Sequence, residues 1–380
     1  MSGFPQKHVS LADPPIFYEE AAMKHLFKVI AALMLAAYVS SARAEVICVS
    51  TAQQLRTALV DAATSASATE IRIRKGFYAL PAAAANAISL QYSAPSSLTM
   101  TGGWAGNASF CTDQFTRGLE DTVLSADGVG RLLNIFLLAN AATEIELGLL
   151  SFRQGNLDAS VVNAAACLTI ESDVGSNAIV RIDRNAFRLC NRAGSTGSAV
   201  VVRARDADIY FRGNLLLDNA NVSGAVFLFG LGSSTFYVSN NSIANNPQFG
   251  AGGGPGGIQM AGQASDLFWF TNNVLWNNGS GTGVDLSILS GTAIVLNNNL
   301  VGTFAPIPSG AVNNNTLSTN PGFTSSADLR PTRNSPMRDS GINPIGGALI
   351  LDFESNSRVL GAAIDRGAYE YVNLFENGFE

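Results

Sequence analysis

VRIDRNAF at residues 180–187, IYFRGNLL at 209–216, FYVSNNSI at 236–243, FWFTNNVL at 268–275 and IVLNNNLV at 294–301 are versions of one eight-residue phrase. With Asn185, Asn214, Asn241, Asn273 and Asn299 set as position 0, apolar residues fall at −5, −3 and +2 in every copy. Alternation at −5 and −3 has the period of a strand, so these positions face a core while −4 and −2 face outward. The asparagine then turns the chain. Asparagine tolerates left-handed backbone better than other non-glycine residues, and stacked asparagines can hydrogen-bond from layer to layer. An Asn ladder in left-handed conformation is therefore expected at these five positions.

The copies are separated by 29, 27, 32 and 26 residues. One strand phrase per repeat at such intervals marks a solenoid, each coil burying its apolar face against its neighbours. Upstream, IRIRKGFY at 71–78 and LTMTGGWA at 98–105 carry Gly76 and Gly103 in the asparagine slot, and glycine also accepts positive φ. IELGLLSF at 145–152 keeps the apolar positions but has Leu150 at position 0, so a different turn is expected there. The pattern resembles the right-handed parallel β-helix (pectin-lyase-like) family over roughly residues 70–325. The resemblance implies an all-β, single-stranded parallel β-helix, expected over 70–320.

Met23 begins MKHLFKVIAALMLAAYVSSARA, with Lys24 and Lys28, an apolar run from Val29 to Tyr38 and an Ala42-Arg43-Ala44 end. This reads as a secretory signal over 23–44, cleaved before Glu45, the first 22 residues being an upstream mis-assignment. A membrane anchor is the other reading, but the apolar core is well short of the ~20 residues that a span needs. Cleavage leaves 336 residues (380 minus 44), enough for one large core. It also removes His8 and His25, the only histidines. That excludes a Ser-His-Asp triad, a Cys-His nucleophile and the usual His-bearing zinc sites. Lys75 is the sole lysine beyond Glu45, and the basic residues are scattered arginines in an acidic chain of net charge −6, so no nucleic-acid partner is expected. A secreted or cell-surface monomer is expected, without cofactor or metal.

Four cysteines in an exported chain read as disulfides. Cys167 and Cys190 are 23 residues apart, close to one coil, where neighbouring strands ~4.8 Å apart suit a disulfide. That pairs them and leaves Cys48 with Cys111; four free buried thiols are the alternative. Residues 45–69 are expected to cap the open end of the solenoid, with Leu55, Leu59, Val60 and Ala63 on the apolar side of a short helix behind a Ser50/Thr51 cap. Residues 107–127 read as an extended loop pinned by Cys111. Gly252, Gly254 and Gly257 match G-x-G-x-x-G but open no helical pattern, and read as a flexible inter-strand loop.

Beyond Pro321 the pattern changes to NPGF at 320–323, DLRPTRNSPMRDSG at 328–341 and GAAIDRGAYEY at 361–371. Pro321 to Phe323, Asp328 to Pro331, Ser335, Pro336, Asp339 to Gly341 and Asp365 to Tyr371 carry a resemblance to the choice-of-anchor Q domain of bacterial surface and secreted proteins. It implies a terminal cap over 321–371. The tail 372–380 has neither an apolar span nor a sortase-type signal, and no barrel strands of an autotransporter follow Tyr371.

For function, column −4 reads Arg181, Tyr210, Tyr237, Trp269 and Val295. An exposed aromatic strip beside Arg181 and Arg212 is a candidate glycan-binding surface, the arginines suiting carboxylate-bearing sugars. Asp183 and Arg212 share column −2 on consecutive coils, and an exposed ion-pair ladder is the plainer reading of them. The plainer reading of the column is an aromatic ladder that only stabilises the sheet, or one covered by the long loops around Gly250 or Gly281. The alternative function, a polysaccharide lyase or glycoside hydrolase, rests on fold analogy. Asp183, Asp206, Asp208, Asp218, Asp266 and Asp285 fall in different columns, and the family's Asn-Thr-Asp, Gly-His-Gly and Trp-Ile-Asp-His signatures are missing. A non-catalytic binding protein is the leading expectation.

Overall fold

A computed structural model describes residues 44–80, 88–93, 96–107, 110–114, 121–138, 143–157, 164–192, 198–248, 255–279, 283–289 and 293–372. The signal segment, most of the tail, Gly252 and Gly254 lie outside the described residues. One helix and many parallel strands form a parallel β-helix. A representative coil runs Ala178–Asp183 in the first sheet, Ala186–Arg188 in the second and Ser198–Ala204 in the third, then returns to the first as Ala207–Arg212. Repetition stacks these into sheets of 11, 8 and 7 strands. The first begins with Glu45–Val49 and ends with Val312–Asn314.

The alternation predicted from the phrase holds. Positions −5, −3 and +2 of all five copies are buried, as Ile209, Phe211 and Leu216 illustrate, and they line one continuous interior core. Phe236 and Phe268 stack inside it with centroids 4.3 Å apart. Each inward methylene contributes through removal from water, and each coil completes its neighbour's burial.

The asparagines at position 0 are fully buried, but the left-handed residue is the one before them. Positive φ falls on Arg184, Gly213, Asn240, Asn272 and Asn298, all at −1. The −1 residue makes the corner, and the corner turns the position-0 side chain inward to serve the backbone. Asn241 Oδ1 accepts from Asn214 N at 2.9 Å, while Asn241 Nδ2 donates to Phe211 O and Asn273 Oδ1, each at 2.8 Å. The pattern repeats from Asn185 to Asn299. Leu150 breaks the ladder but not the turn, for Leu149 at −1 has φ 59 and Leu150 N donates to Asn185 Oδ1. A second ladder, Asn219, Asn246 and Asn278, runs at the next corner, five residues after each position 0. Asp285 Oδ1 ends it by accepting from both Asn278 N and Nδ2 at 2.8 Å.

Thr51 caps the helix Ala52–Thr64, which buries Leu55, Ala58, Leu59, Ala62 and Ala63. Val60, expected on that face, is 59% exposed because the apolar stripe is centred on Leu55, Leu59 and Ala62. Both disulfides are formed, Cys48 with Cys111 (Cα–Cα 5.5 Å) and Cys167 with Cys190 (5.6 Å). Two loop expectations need correction. Within 107–127, Phe110–Gln114 pairs antiparallel with Leu98–Asn107 and Thr122–Ser125 joins the second sheet. Gly257 belongs to the strand Pro255–Ala261, where an added Cβ would lie 2.1 Å from Asp285 O. Close packing between coils, not freedom, explains that glycine.

Residues 321–371, expected to close the end of the coil, form a strap along its flank. Leu329, Phe353, Ala368 and Tyr369 pack on Ala186, Leu215, Leu217 and Ala244, the outward residues of the second sheet. Asn240 Nδ2 donates to Asp365 O, Asn272 Nδ2 to Ile342 O and Asn298 Nδ2 to Ser340 O, so the left-handed asparagines clasp the strap. Inside it, Arg358 Nη1 lies 3.2 Å from Glu370 Oε1, both side chains buried. Among the described residues no helix is long and apolar enough to cross a membrane.

Candidate functional site

Column −4 of the first sheet is in strict register: Glu146 beside Arg181, then Tyr210, Tyr237, Trp269 and Val295 on successive strands. Pleating puts all of them on the outer face about 4.8 Å apart. They are half-buried rather than fully exposed. Gly346 of the strap approaches Tyr237 so closely that an added Cβ would lie 2.5 Å from Cδ1.

Tyr210 and Tyr237 stack with centroids 4.7 Å apart and planes 16° from parallel. Arg181 lies 5.1 Å from the Tyr210 centroid. Two register neighbours thus take up the faces of Tyr210, so what the tyrosines offer outward is ring edges and hydroxyls. Neither tyrosine hydroxyl, nor Trp269 Nε1, has a hydrogen-bond partner among the described residues. Burial pushes the Tyr237 phenol up, with Asp208 and then Tyr210 adding to the effect, so it stays a neutral donor.

The arginines are committed elsewhere. Arg212 Nε and Nη2 grip Asp183 at 2.9 and 2.5 Å, and the side chains are only 11% and 10% exposed. The expected exposed ladder is instead an enclosed bidentate pair, flanked by the strap through Gly347 O at 3.5 Å from Arg212 Nη1. Arg181 pairs with Glu144. Neither guanidinium is left over for an acidic sugar.

Two carboxylates on this face went unread in the sequence or were set aside. Glu146 follows from carrying column −4 back one coil, into IELGLLSF; it has no hydrogen bond or ion pair among the described residues. Burial raises its pKa, Asp183 adds to this, and Arg212 opposes it. Asp208, two residues before Tyr210 on the same face, is likewise unpartnered. It lines an open hollow of ≈ 320 Å³ with Asn177, Ile179, Asp206 and Ser233. Among the described residues, no group of three or more His, Cys, Asp or Glu side chains converges as a metal site.

Comparison of the chain with protein-family models, with curated proteins and with solved structures finds no match.

Proposed function

We propose that this chain is an exported, non-catalytic β-helix that binds an extended polysaccharide along the outer face of its first sheet. The observation that carries the reading is the row of unpartnered donors, Tyr210 Oη, Tyr237 Oη and Trp269 Nε1, set one strand apart on a rigid sheet. Such a row can meet successive sugars of a chain lying parallel to the coil axis, and donors held on a fixed scaffold lose little entropy on binding. Stacking of sugar on aromatic face falls to Trp269, since the Tyr210 faces are occupied. Two disulfides suit an oxidising, extracellular setting. The coil architecture and the sequence of residues 321–371 support placement beside pectin-lyase-like proteins with a choice-of-anchor Q segment.

One observation favours the lyase or hydrolase reading as second choice: Glu146, an unpartnered carboxyl of raised pKa at the end of the strip, has the character of a general acid. Its neighbour Asp183 is held by Arg212, which removes it as the second carboxylate of a hydrolytic pair.

Calorimetric titration with glycans selected on an array tests the proposal. Trp269→Ala should weaken binding by ~1 to 2 kcal/mol, and Tyr237→Phe, which removes only the hydroxyl, by ~0.5 to 1.5 kcal/mol, with melting temperatures little changed. Unchanged affinity in both variants would reduce the column to a sheet-stabilising ladder. New reducing ends or unsaturated products would establish the enzyme reading.

A further inference from the structure

One side of the strip is walled by the strap. Ile342 N donates to Asn272 Oδ1 at 3.0 Å while Asn272 Nδ2 donates to Ile342 O at 2.7 Å, Gly346 lies against Tyr237, and Gly347 O stands 3.5 Å from Arg212 Nη1. Residues 342–347 therefore run beside the strip from the coil of Trp269 to the coil of Tyr210, along the coil axis. The wall shows apolar side chains to solvent, Ile342 being 41% and Ile345 48% exposed. The floor ends in the same character, with Val295 and Val312 following Trp269 on the next two strands.

The polar groups left over sort into donors and an acceptor. Tyr210 Oη, Tyr237 Oη and Trp269 Nε1 donate and have no partner among the described residues. Asp208 accepts, is likewise unpartnered, and is close enough to Tyr237 to help raise its phenol. Arg181 and Arg212 are taken up by Glu144 and Asp183, so neither is left for an anionic sugar.

Given the strip proposed above, we infer that its ligand is a polysaccharide of N-acetylated amino sugars lying along this wall, with acetamido carbonyls accepting from Tyr237 Oη and Trp269 Nε1, acetamido N–H groups donating to Asp208, and acetyl methyls against Ile342 and Ile345. The acetamido group carries an acceptor, a donor and a methyl on one uncharged substituent, and so answers the donors, the carboxylate and the apolar wall together. A plain glucan brings no methyl for the isoleucines. A free-amine chain would answer Asp208, but an ammonium has no lone pair for Trp269 Nε1 and is costly to set against apolar side chains. A uronate would face Asp208 and Glu146 with no free guanidinium to offset them, and like charges set close together disfavour binding. This replaces the acidic-sugar preference that the arginines suggest in the bare sequence.

Calorimetric affinities for three oligosaccharides of equal length and linkage, built from N-acetylglucosamine, glucosamine and glucose, test it. The wild-type protein should prefer the acetylated chain over each of the other two by about tenfold, the worth of a methyl contact plus a hydrogen bond, and added salt should not erode its affinity. Ile345→Ser, at an exposed position, should cut that preference about threefold to fivefold with unchanged melting temperature and unchanged affinity for the glucose chain. Equal affinity for the acetylated and glucose chains, both sensitive to Trp269→Ala, would overturn the acetamido assignment and leave the strip standing. Preference for the free-amine chain would overturn it as well. If none of the three binds, Trp269-sensitive array glycans that carry acetamido groups support the assignment, and Trp269-sensitive ones that lack them overturn it. Array glycans that bind without sensitivity to Trp269→Ala bring down the strip and the inference with it.

Discussion

Adjacent asparagines do opposite work in this protein. In the doublets Asn240-Asn241, Asn272-Asn273 and Asn298-Asn299, the first residue is left-handed and reaches outward to the strap, and the second is buried and serves the ladder. Glycine should therefore discriminate between them. Asn240→Gly keeps the corner, as Gly213 does naturally, and gives up one hydrogen bond, costing about 1 kcal/mol. Asn241→Gly keeps nothing useful: it strands Asn214 N and Phe211 O in the interior and should cost about 2 to 4 kcal/mol. Denaturant unfolding of the two variants checks this, and equal losses would contradict the division of labour. The period of the asparagines was legible from the repeat. Which member of a doublet is left-handed was not, because both asparagines tolerate that conformation and only the inward hydrogen bonds separate them.

The strap is the element least legible in the sequence. Its composition marked 321–371 as a separate unit, but its place on the flank is written in another part of the chain. Leu215, Val274 and Leu300 at +1 are apolar next to apolar +2 residues, so the second sheet needs cover on its outer side as well. The phrase alone does not show this, nor that Gly346 of the strap lies against Tyr237. The strap also carries the clearest pH signature. Burial pushes Glu370 up to about 8 from an ordinary 4.5, against the pull of Arg358. A carboxyl with a raised folded-state pKa binds more protons folded than unfolded, so its contribution to stability is full below about 4.5, falls as pH rises, and is spent above about 8. Glu354 and Asp365, both raised chiefly by burial, act in the same direction. Melting temperature should therefore decline between mildly acid and mildly alkaline pH, and Glu370→Gln should flatten that decline. A wild-type melting temperature that climbs across the same range would contradict the assignment.

At the scale of the molecule, repetition converts a sequence period into a ruled surface. The same alternation that buries Ile209 and Phe211 sends Tyr210 outward, and coil stacking sets it in line with Arg181, Tyr237 and Trp269. The members of the strip could thus be named from the phrase alone, together with the disulfide partners one coil apart. Their chemistry could not. Partnership depends on neighbours distant in sequence, such as Glu144 for Arg181 at a separation of 37 residues. The acid character of the face appears only once those pairs are subtracted. The central claim is that this ruled face holds an intact, extended polysaccharide. A crystal structure of the protein with the oligosaccharide it binds best tests that most directly. The predicted result is an uncut chain running across the strands past Tyr210, Tyr237 and Trp269, with hydrogen bonds from their free donors. A chain bound on another face, or one cleaved beside Glu146, would contradict it.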